Sequence, residues 1–250
     1  MATATQIVTT DPLNLAQVRT QTDWPEWDQS IRHELQQLEW MGAWELVDLP
    51  KDANVVGSHF VFHYKLNVAG KIASSKVRLI AQGFSQQEGV NYNQTFSPTA
   101  KLSTICIIAT LAACNDWELE QTDVDGAYLN APLTVTIYMR QPKGYEVPGK
   151  EHKVCQLVHA LYRLKQAGRE WYLLLYDVMW ELGFTHCQTE HAVFYRYADE
   201  DALIVAVDIN DLTMAGNMQH AIATFKLQLS RRFKIKDHGD LHWLLGIEVK

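Results

Sequence analysis

Apolar residues recur along the chain at two different spacings, which divide it into helices and strands. Trp27, Ile31 and Leu35 lie about one helical turn apart and predict a helix, and Asp23 with Glu26 at its start is typical of a capping box. The same spacing predicts further helices over about 103–113, 166–182 and 218–233. Short apolar or alternating runs predict strands over 44–47, 192–196, 203–207 and 212–215, a strand that ends before position 123, and a hairpin whose turn lies at 67–70.

This order of elements indicates an α+β fold with an antiparallel sheet, because helices and strands mix without strict β–α alternation. Residues 1–22 are polar and aperiodic, and they predict a loose N-terminal lead-in. Residues 23–250 carry the periodic pattern and therefore predict the folded domain.

Composition points to an intracellular globular protein. The 250 residues are 47% hydrophobic, which is enough for a sizeable core. No apolar run approaches the roughly 20 residues of a membrane span, and the N-terminus lacks the features of a signal peptide. The cysteines form no C-x-x-C pair, so neither a zinc site nor a disulfide scaffold is indicated. We expect a cytoplasmic or nuclear protein that is neither secreted nor attached to a membrane.

Two stretches place carboxylates at the ends of apolar, strand-like runs. QTDVDGAYLN, residues 121–130, contains Asp123, and ALIVAVDINDLTMAG, residues 202–216, contains Asp208 and Asp211. Two strand-end carboxylates brought together by a fold are what a two-metal phosphoryl-transfer site requires. The net charge of −7 means that any nucleic acid must be bound by a local basic patch.

Seven motifs occur in the order found in copia-type retrotransposon reverse transcriptases, which the chain resembles from about residue 23 to 250. The motifs are WELVDLP (44–50), KVRLIAQGF (76–84), TFSPTAKLSTI (95–105), QTDVDGAYLN (121–130), IYMRQPKGY (137–145), LYRLKQAGREWY (161–172) and LHWLLGIEV (241–249). The resemblance implies fingers at about 44–100 and a palm at about 101–250, arranged around an antiparallel sheet. It also implies RNA-directed DNA polymerase activity within a Pol polyprotein, in a virus-like particle or the nucleus.

The resemblance assigns roles to the carboxylates. It identifies Asp123 as the first metal-binding residue, with the carbonyl of Val124 as a further ligand. Asp211 is the second aspartate of the hairpin pair, and Asn210 stands where the family has the first. The implied cofactors are two Mg²⁺ or Mn²⁺ ions, and the implied partners are a primed RNA or DNA template and deoxynucleoside triphosphates.

Four further residues correspond to nucleotide-binding positions of the family. Tyr128 resembles the residue under the incoming sugar, Lys65 and Arg78 lie on the predicted hairpin over the triphosphate, and Gln166 flanks the nucleotide. Without the resemblance, Tyr128 would be interpreted as a core residue and the basic pair as a solvated charged face.

Departures from the family pattern predict impaired catalysis. Asn210 removes one charge from the ion cage, and Arg163 replaces a glycine, so it either fills the space at the nucleotide or strains the turn. One alternative is a competent polymerase in which Asp123, Asp211 and Asp208 hold the ions. Another is a non-catalytic nucleic-acid-binding protein derived from a transposon. The resemblance further implies thumb, ribonuclease H and integrase segments that this chain does not contain.

Overall fold

The computed structural model of the protein describes residues 11–67, 71–198, 200–244 and 247–248. Within them the helices are α1 (Leu15–Val18), α2 (Trp24–Trp40), α3 (Leu102–Asn115), α4 (Ala127–Asn130), α5 (Ala167–Glu181) and α6 (Gln219–Ser230), with a 3₁₀ turn at Gly83–Ser85. The strands are β1 (Trp44–Val47), β2 (Val55–Val56), β3 (Ser58–Leu66), β4 (Ile72–Ala81), β5 (Glu118–Val124), β6 (Pro132–Arg140), β7 (Val154–His159), β8 (Thr185–His186), β9 (Val193–Ala198), β10 (Asp201–Asp208), β11 (Asp211–Gly216), β12 (Ile235–Asp240), β13 (Trp243–Leu244) and β14 (Ile247–Glu248).

The chain forms two compact units that alternate along the sequence. The first comprises Met1–Asn93 and Leu133–Lys165, and the second comprises Gln94–Pro132 and Gln166–Lys250. The predicted division into fingers and palm is a functional one, and it stays a prediction.

A six-stranded antiparallel sheet forms the centre of the second unit, in the order β12–β5–β11–β10–β9–β8. Successive side chains of a strand point to opposite faces. α3 covers one face, where Ile105 packs in a cluster with Ala206 and Ala215. α6 covers the other, where a Cβ on Gly216 would lie 3.1 Å from the side chain of Ile222. Strand β5 is therefore paired along both edges and covered on both faces.

A buried ion cluster ties α6 to this sheet. Lys226 is only 7% exposed, and its ammonium group forms ion pairs with Glu120 on β5 and Asp237 on β12. Burial lowers the pKa of Lys226, but hydrogen bonds to Asp237 and Glu120 raise it by more, so the lysine stays charged. Two strands and one helix are thus joined through a single side chain.

The β3–β4 hairpin of the first unit packs against α2. The rings of Trp27 and Phe62 meet edge to face, with centroids 5.4 Å apart. The Asp23 carboxylate accepts hydrogen bonds from the Trp27 indole at 3.1 Å and the Tyr64 hydroxyl at 2.7 Å. Asp23 makes no capping bond with its side chain, so the predicted capping box is wrong, because that carboxylate joins α2 to the hairpin instead. The predicted turn at 67–70 lies largely outside the described residues.

The first unit also holds a four-stranded sheet that the pattern did not predict, in the order β1–β7–β6–β2. Prolines stand at positions 132, 142 and 148 of this stretch, for which the sequence predicted no element. Pro132 stands at the first position of β6 and Pro142 follows its end, where a missing N–H leaves the ladder intact. Likewise, the lead-in predicted to be loose contains helix α1.

The α+β class with antiparallel sheets is confirmed, and the predicted long helices occur within a few residues of their expected bounds. In the described part of the chain, no helix is both long and apolar enough to cross a membrane.

We predict that Lys226→Ala lowers the free energy of unfolding by about 2–4 kcal/mol, because it leaves Glu120 buried beside Asp237 without a counter-charge. The value is set below the full cost for a buried pair since Asp237 is half exposed. Urea denaturation measures it, with the exposed Lys101→Ala as control. A loss as small as that of the control would show that the cluster contributes little.

Candidate active site

Four residues form a row across neighbouring strands at one end of the six-stranded sheet. Asp208 on β10 is the partner of Asp211 on β11, Asp211 is the partner of Asp123 on β5, and Asp123 is the partner of Lys236 on β12. Cross-strand partners point to the same face, with Cβ atoms roughly 4.5–5.5 Å apart. The structure therefore brings the three predicted carboxylates together and sets a lysine at the end of their row.

The turn between β10 and β11 is held in place from two sides. Its first residue, Ile209, has a φ of 58°, which is unfavourable for a β-branched side chain. The indole N–H of Trp171 donates to the Ile209 carbonyl at 2.6 Å, and the Val124 N–H donates to the Asn210 carbonyl at 2.8 Å. These bonds attach the turn to α5 and β5, so they compensate the strain and hold residue 210 beside Asp123.

The side chain of Asn210 contacts Asp123 directly. Its side-chain amide donates a hydrogen bond to a carboxylate oxygen of Asp123. An aspartate at this position could not donate and would repel Asp123. The amide therefore occupies an oxygen that a cation would need, and it removes a repulsion that a cation would otherwise neutralise.

The remaining carboxylates are electrostatically strained. Burial raises the pKa of Asp211, and the neighbouring charges of Asp123 and Asp208 raise it further, while His238 and a hydrogen bond from Gln121 oppose the change. Burial also raises the pKa of Asp208. Both shifts mean that the ionised forms are disfavoured where they lie, by burial at both residues and, at Asp211, by the neighbouring like charges as well.

These side chains do not form a metal-binding group as they stand. Among the described residues, no three His, Cys, Asp or Glu side chains are grouped closely enough to hold a metal ion. Asp123 and Asp211 carry the carboxylate oxygens that hard cations prefer, and the Asn210 amide donates to Asp123.

Tyr128 and Gln166 both lie in the second unit. Tyr128 is half-buried on α4, just after Gly126, whose φ of 61° turns the chain out of β5. Gln166 precedes α5 and is 2% exposed. Their nucleotide-binding roles stay predictions.

Lys65 and Arg78 share one face of the β3–β4 hairpin in the first unit. Lys65 is the cross-strand partner of Ser74, and Arg78 is the cross-strand partner of Val61. Val61 and Lys65 are separated by an even number of positions on β3, so all four side chains point to the same face. The Arg78 guanidinium lies 4.9 Å from the centroid of the Tyr162 ring. The triphosphate roles of Lys65 and Arg78 stay predictions.

Arg163 strains its turn. Its φ is 66°, in the left-handed region that favours glycine. The Arg163 carbonyl oxygen packs against Gly83, and a Cβ added at position 83 would lie 2.1 Å from that oxygen. The side chain is exposed and lies close enough to His59 to contribute, after burial, to lowering the pKa of that histidine. We expected Arg163 either to fill the space at the nucleotide or to strain its turn, and the structure shows the strain.

Sequence reasoning missed Lys236 and His238, which flank Asp123 and Asp211. Both lie on β12, whose sequence IKDHGD has no apolar alternation and is interrupted by a bulge between Asp237 and Gly239. No periodic signal marked this segment as a strand, so its proximity to the carboxylates could not be inferred.

Comparison with known proteins gives consistent matches. Residues 41–250 match the family described as reverse transcriptase (RNA-dependent DNA polymerase). Over 240 residues the chain is 33% identical to the retrovirus-related Pol polyprotein from transposon TNT 1-94 of Nicotiana tabacum, which covers 96% of this chain and 18% of that protein. Over 209 residues it is 35% identical to the retrovirus-related Pol polyprotein from transposon RE1 of Arabidopsis thaliana, which covers 83% of this chain and 14% of that protein. The chain thus spans less than a fifth of the length of these curated relatives.

We predict that Asp211→Asn stabilises the protein at neutral pH by roughly 0.5–1 kcal/mol, because it removes like charges from directly opposed strand positions. The folded-state pKa of Asp211 is raised, so its ionisation destabilises the fold as pH rises through that pKa. The gain should therefore shrink to nothing as pH falls below about 3.9, where the wild-type carboxyl is protonated in both states. Melting temperatures across pH measure it, with the exposed Asp177→Asn as control, and a gain that persists at low pH would contradict it.

We predict that Arg163→Gly raises the free energy of unfolding by about 0.5–1 kcal/mol. Relief of left-handed strain is worth roughly 1–2 kcal/mol, and the added freedom of glycine in the unfolded chain offsets part of it. Arg163→Ala is the matched control, because it removes the side chain and keeps the strain. Equal stabilisation by both variants in urea denaturation would assign the effect to the side chain instead.

Proposed function

The chain belongs to the reverse transcriptase (RNA-dependent DNA polymerase) family, and we propose that it is the fingers and palm of a copia-type enzyme whose nucleotidyl transfer is impaired. The observation that carries the proposal is the cross-strand pair of Asp123 and Asp211, with the Asn210 amide bonded to Asp123. The turn that would carry the aspartate pair of a polymerase has Asn210 at the first of the two positions.

In a competent site, two Mg²⁺ or Mn²⁺ ions would activate the primer hydroxyl and neutralise charge at the phosphorus. Asp123 and Asp211 would hold them, with the Val124 carbonyl as a further ligand. Lys65 and Arg78 would contact the triphosphate, Tyr128 would pack under the sugar, and Gln166 would lie beside the nucleotide. The proposed substrates are deoxynucleoside triphosphates and a primed RNA or DNA template.

Asn210 impairs this site in two ways. It subtracts a negative charge from the ligands, and its amide competes with a cation for Asp123. Loss of one preorganised electrostatic contact costs on the order of 10²–10³ in rate in other enzymes, and a metal ligand should cost at least as much.

The alternative is a competent polymerase in which Asp208 replaces the missing ligand. Asp208 shares the face of Asp211, which favours it. Against it, Asp208 and Asp123 are separated by β11, and the bonds of Trp171 and Val124 to the turn resist the shift that would bring them together.

A non-catalytic nucleic-acid-binding protein is the candidate from another class. It is favoured by the complete strand pairing around Asp123 and the hydrogen-bonded turn at residues 209–210, which persist although the site lacks one carboxylate ligand. The relatives are several times longer than this chain. We therefore propose that thumb, ribonuclease H and integrase segments act together with this chain in the full activity.

We predict that this sequence, joined to the thumb and ribonuclease H segments of a relative, gives no detectable primer extension with Mg²⁺ or Mn²⁺. Asn210→Asp combined with Arg163→Gly should restore measurable synthesis, at least 10²-fold above background, because the first supplies the ligand and the second relaxes the turn. Each single change should restore little. Extension on an RNA template with a labelled primer measures all of these.

Two variants serve as controls for this experiment. Asn115→Asp makes the same chemical change on α3 and should restore nothing, whereas Asp123→Asn added to the double variant should abolish what was gained. Mn²⁺ affinity, followed by electron paramagnetic resonance on the chain itself, should rise with Asn210→Asp. Robust extension by the unaltered sequence would show that Asp208 or Asp211 suffices.

A further inference from the structure

A polar groove of about 690 Å³ lies within the first unit, beside the loop that joins β6 to β7. Arg140, Lys143, His152 and Lys153 line it from the loop side, and Gln82 lines it from the end of β4. The loop begins in the motif IYMRQPKGY, to which the proposed chemistry gives no role. The volume of the groove is in the range typical of ligand sites.

The loop is held in one shape by a buried glutamine. The Gln141 side chain is 8% exposed, donates to the carbonyls of Lys150 and Lys153 at 2.6 and 2.9 Å, and accepts from the Val147 N–H at 2.9 Å. Tyr145 anchors the loop to α2 through a hydrogen bond to Asp28 at 2.7 Å. The basic side chains therefore project from a preorganised loop, which lowers the entropy lost on binding a ligand.

The acidic residues of the groove are engaged within the loop. A carboxylate oxygen of Glu146 accepts from the Gly144 N–H at 2.8 Å, and one of Glu151 accepts from the Gly149 N–H at 2.9 Å. Lys153 lies 3.6 Å from Asp48, which is exposed. In the described part of the chain, Arg140 and Lys143 make no ion pair, and with Lys153 they give the groove three cations against the two carboxylates of Glu146 and Glu151.

Gln82 adds a neutral polar group to these cations. A Cβ on Gly57 would lie 2.1 Å from the Gln82 side-chain oxygen, so only glycine there leaves room for the amide in its present position. An arginine fork, an ammonium group and an amide within one groove match the oxygens of a phosphate.

We propose that this groove binds the phosphodiester backbone of a nucleic acid strand, with Arg140 and Lys143 as the principal contacts. The lining of this groove carries three cations and two carboxylates, a positive balance in a chain whose net charge is −7, and such a chain needs a local basic site to hold a polyanion. The choice of a nucleic acid as the source of the phosphates rests on the proposed function.

The test compares strand binding by the unaltered chain with binding by Arg140→Gln/Lys143→Gln. A fluorescein-labelled oligouridine is titrated by fluorescence anisotropy at several KCl concentrations. Each phosphate contact on a single strand contributes roughly 0.7 to the slope of log affinity against log salt, so losing two contacts should reduce the slope by about 1.4. Lys101→Gln/Arg231→Gln carries the same charge change outside the groove and should keep the slope.

Other outcomes overturn the proposal. An unchanged slope in the groove variant, or equal losses in both double variants, would reduce the groove to ordinary surface charge, and absence of strand binding by the unaltered chain would do the same. Displacement of the strand by inorganic triphosphate at matched phosphate concentration would retain the phosphate chemistry but reject a strand as its source. The Mn²⁺ affinity of Asn210→Asp requires no strand, so it tests the proposed function separately.

Discussion

The backbone ladder of β5 is the constraint on which the rest of the structure depends. Because β5 is bonded to β11 on one side and to β12 on the other, the position of every side chain in the carboxylate row follows from register. Asp123 and Asp211 lie opposite each other although their charges repel, since the hydrogen bonds and apolar packing of the whole sheet outweigh one unfavourable pair. Burial raises the pKa of Asp211 most, and the charge of Asp123 raises it further.

Asn210 changes the balance of this conflict. An amide bonded to Asp123 stabilises the free protein, whereas a third carboxylate would destabilise it until cations bound. In the proposed function, asparagine at this position therefore favours stability of the free protein over cation binding. Lys236, the strand partner of Asp123, and His238, which opposes the rise in the pKa of Asp211, lie at the same end of the sheet.

Periodic elements could be predicted from the sequence, and elements defined by partners could not. The helix of residues 102–115 and the hairpin around Asp208–Asp211 carry strong apolar patterns, so they were found, and the place of Asp123 followed from the resemblance. β6, β7 and β12 were missed because their stability comes from neighbours distant in sequence. The engagement of Asp23 with Tyr64, and of Asn210 with Asp123, depends on such neighbours too, so spacing predicted a cap at Asp23 and the resemblance indicated only a missing charge at Asn210.

The indole of Trp171 on the Ile209 carbonyl has a consequence for the history of such a chain. This bond attaches the backbone of the turn to α5, so a change of the side chain at position 210 leaves the backbone of the site in place. Asparagine and aspartate codons differ by one base, so a single-base change would return a carboxylate to this backbone. Such a substitution is reversible in the gene, unlike an insertion or deletion at the turn, which would break the bond.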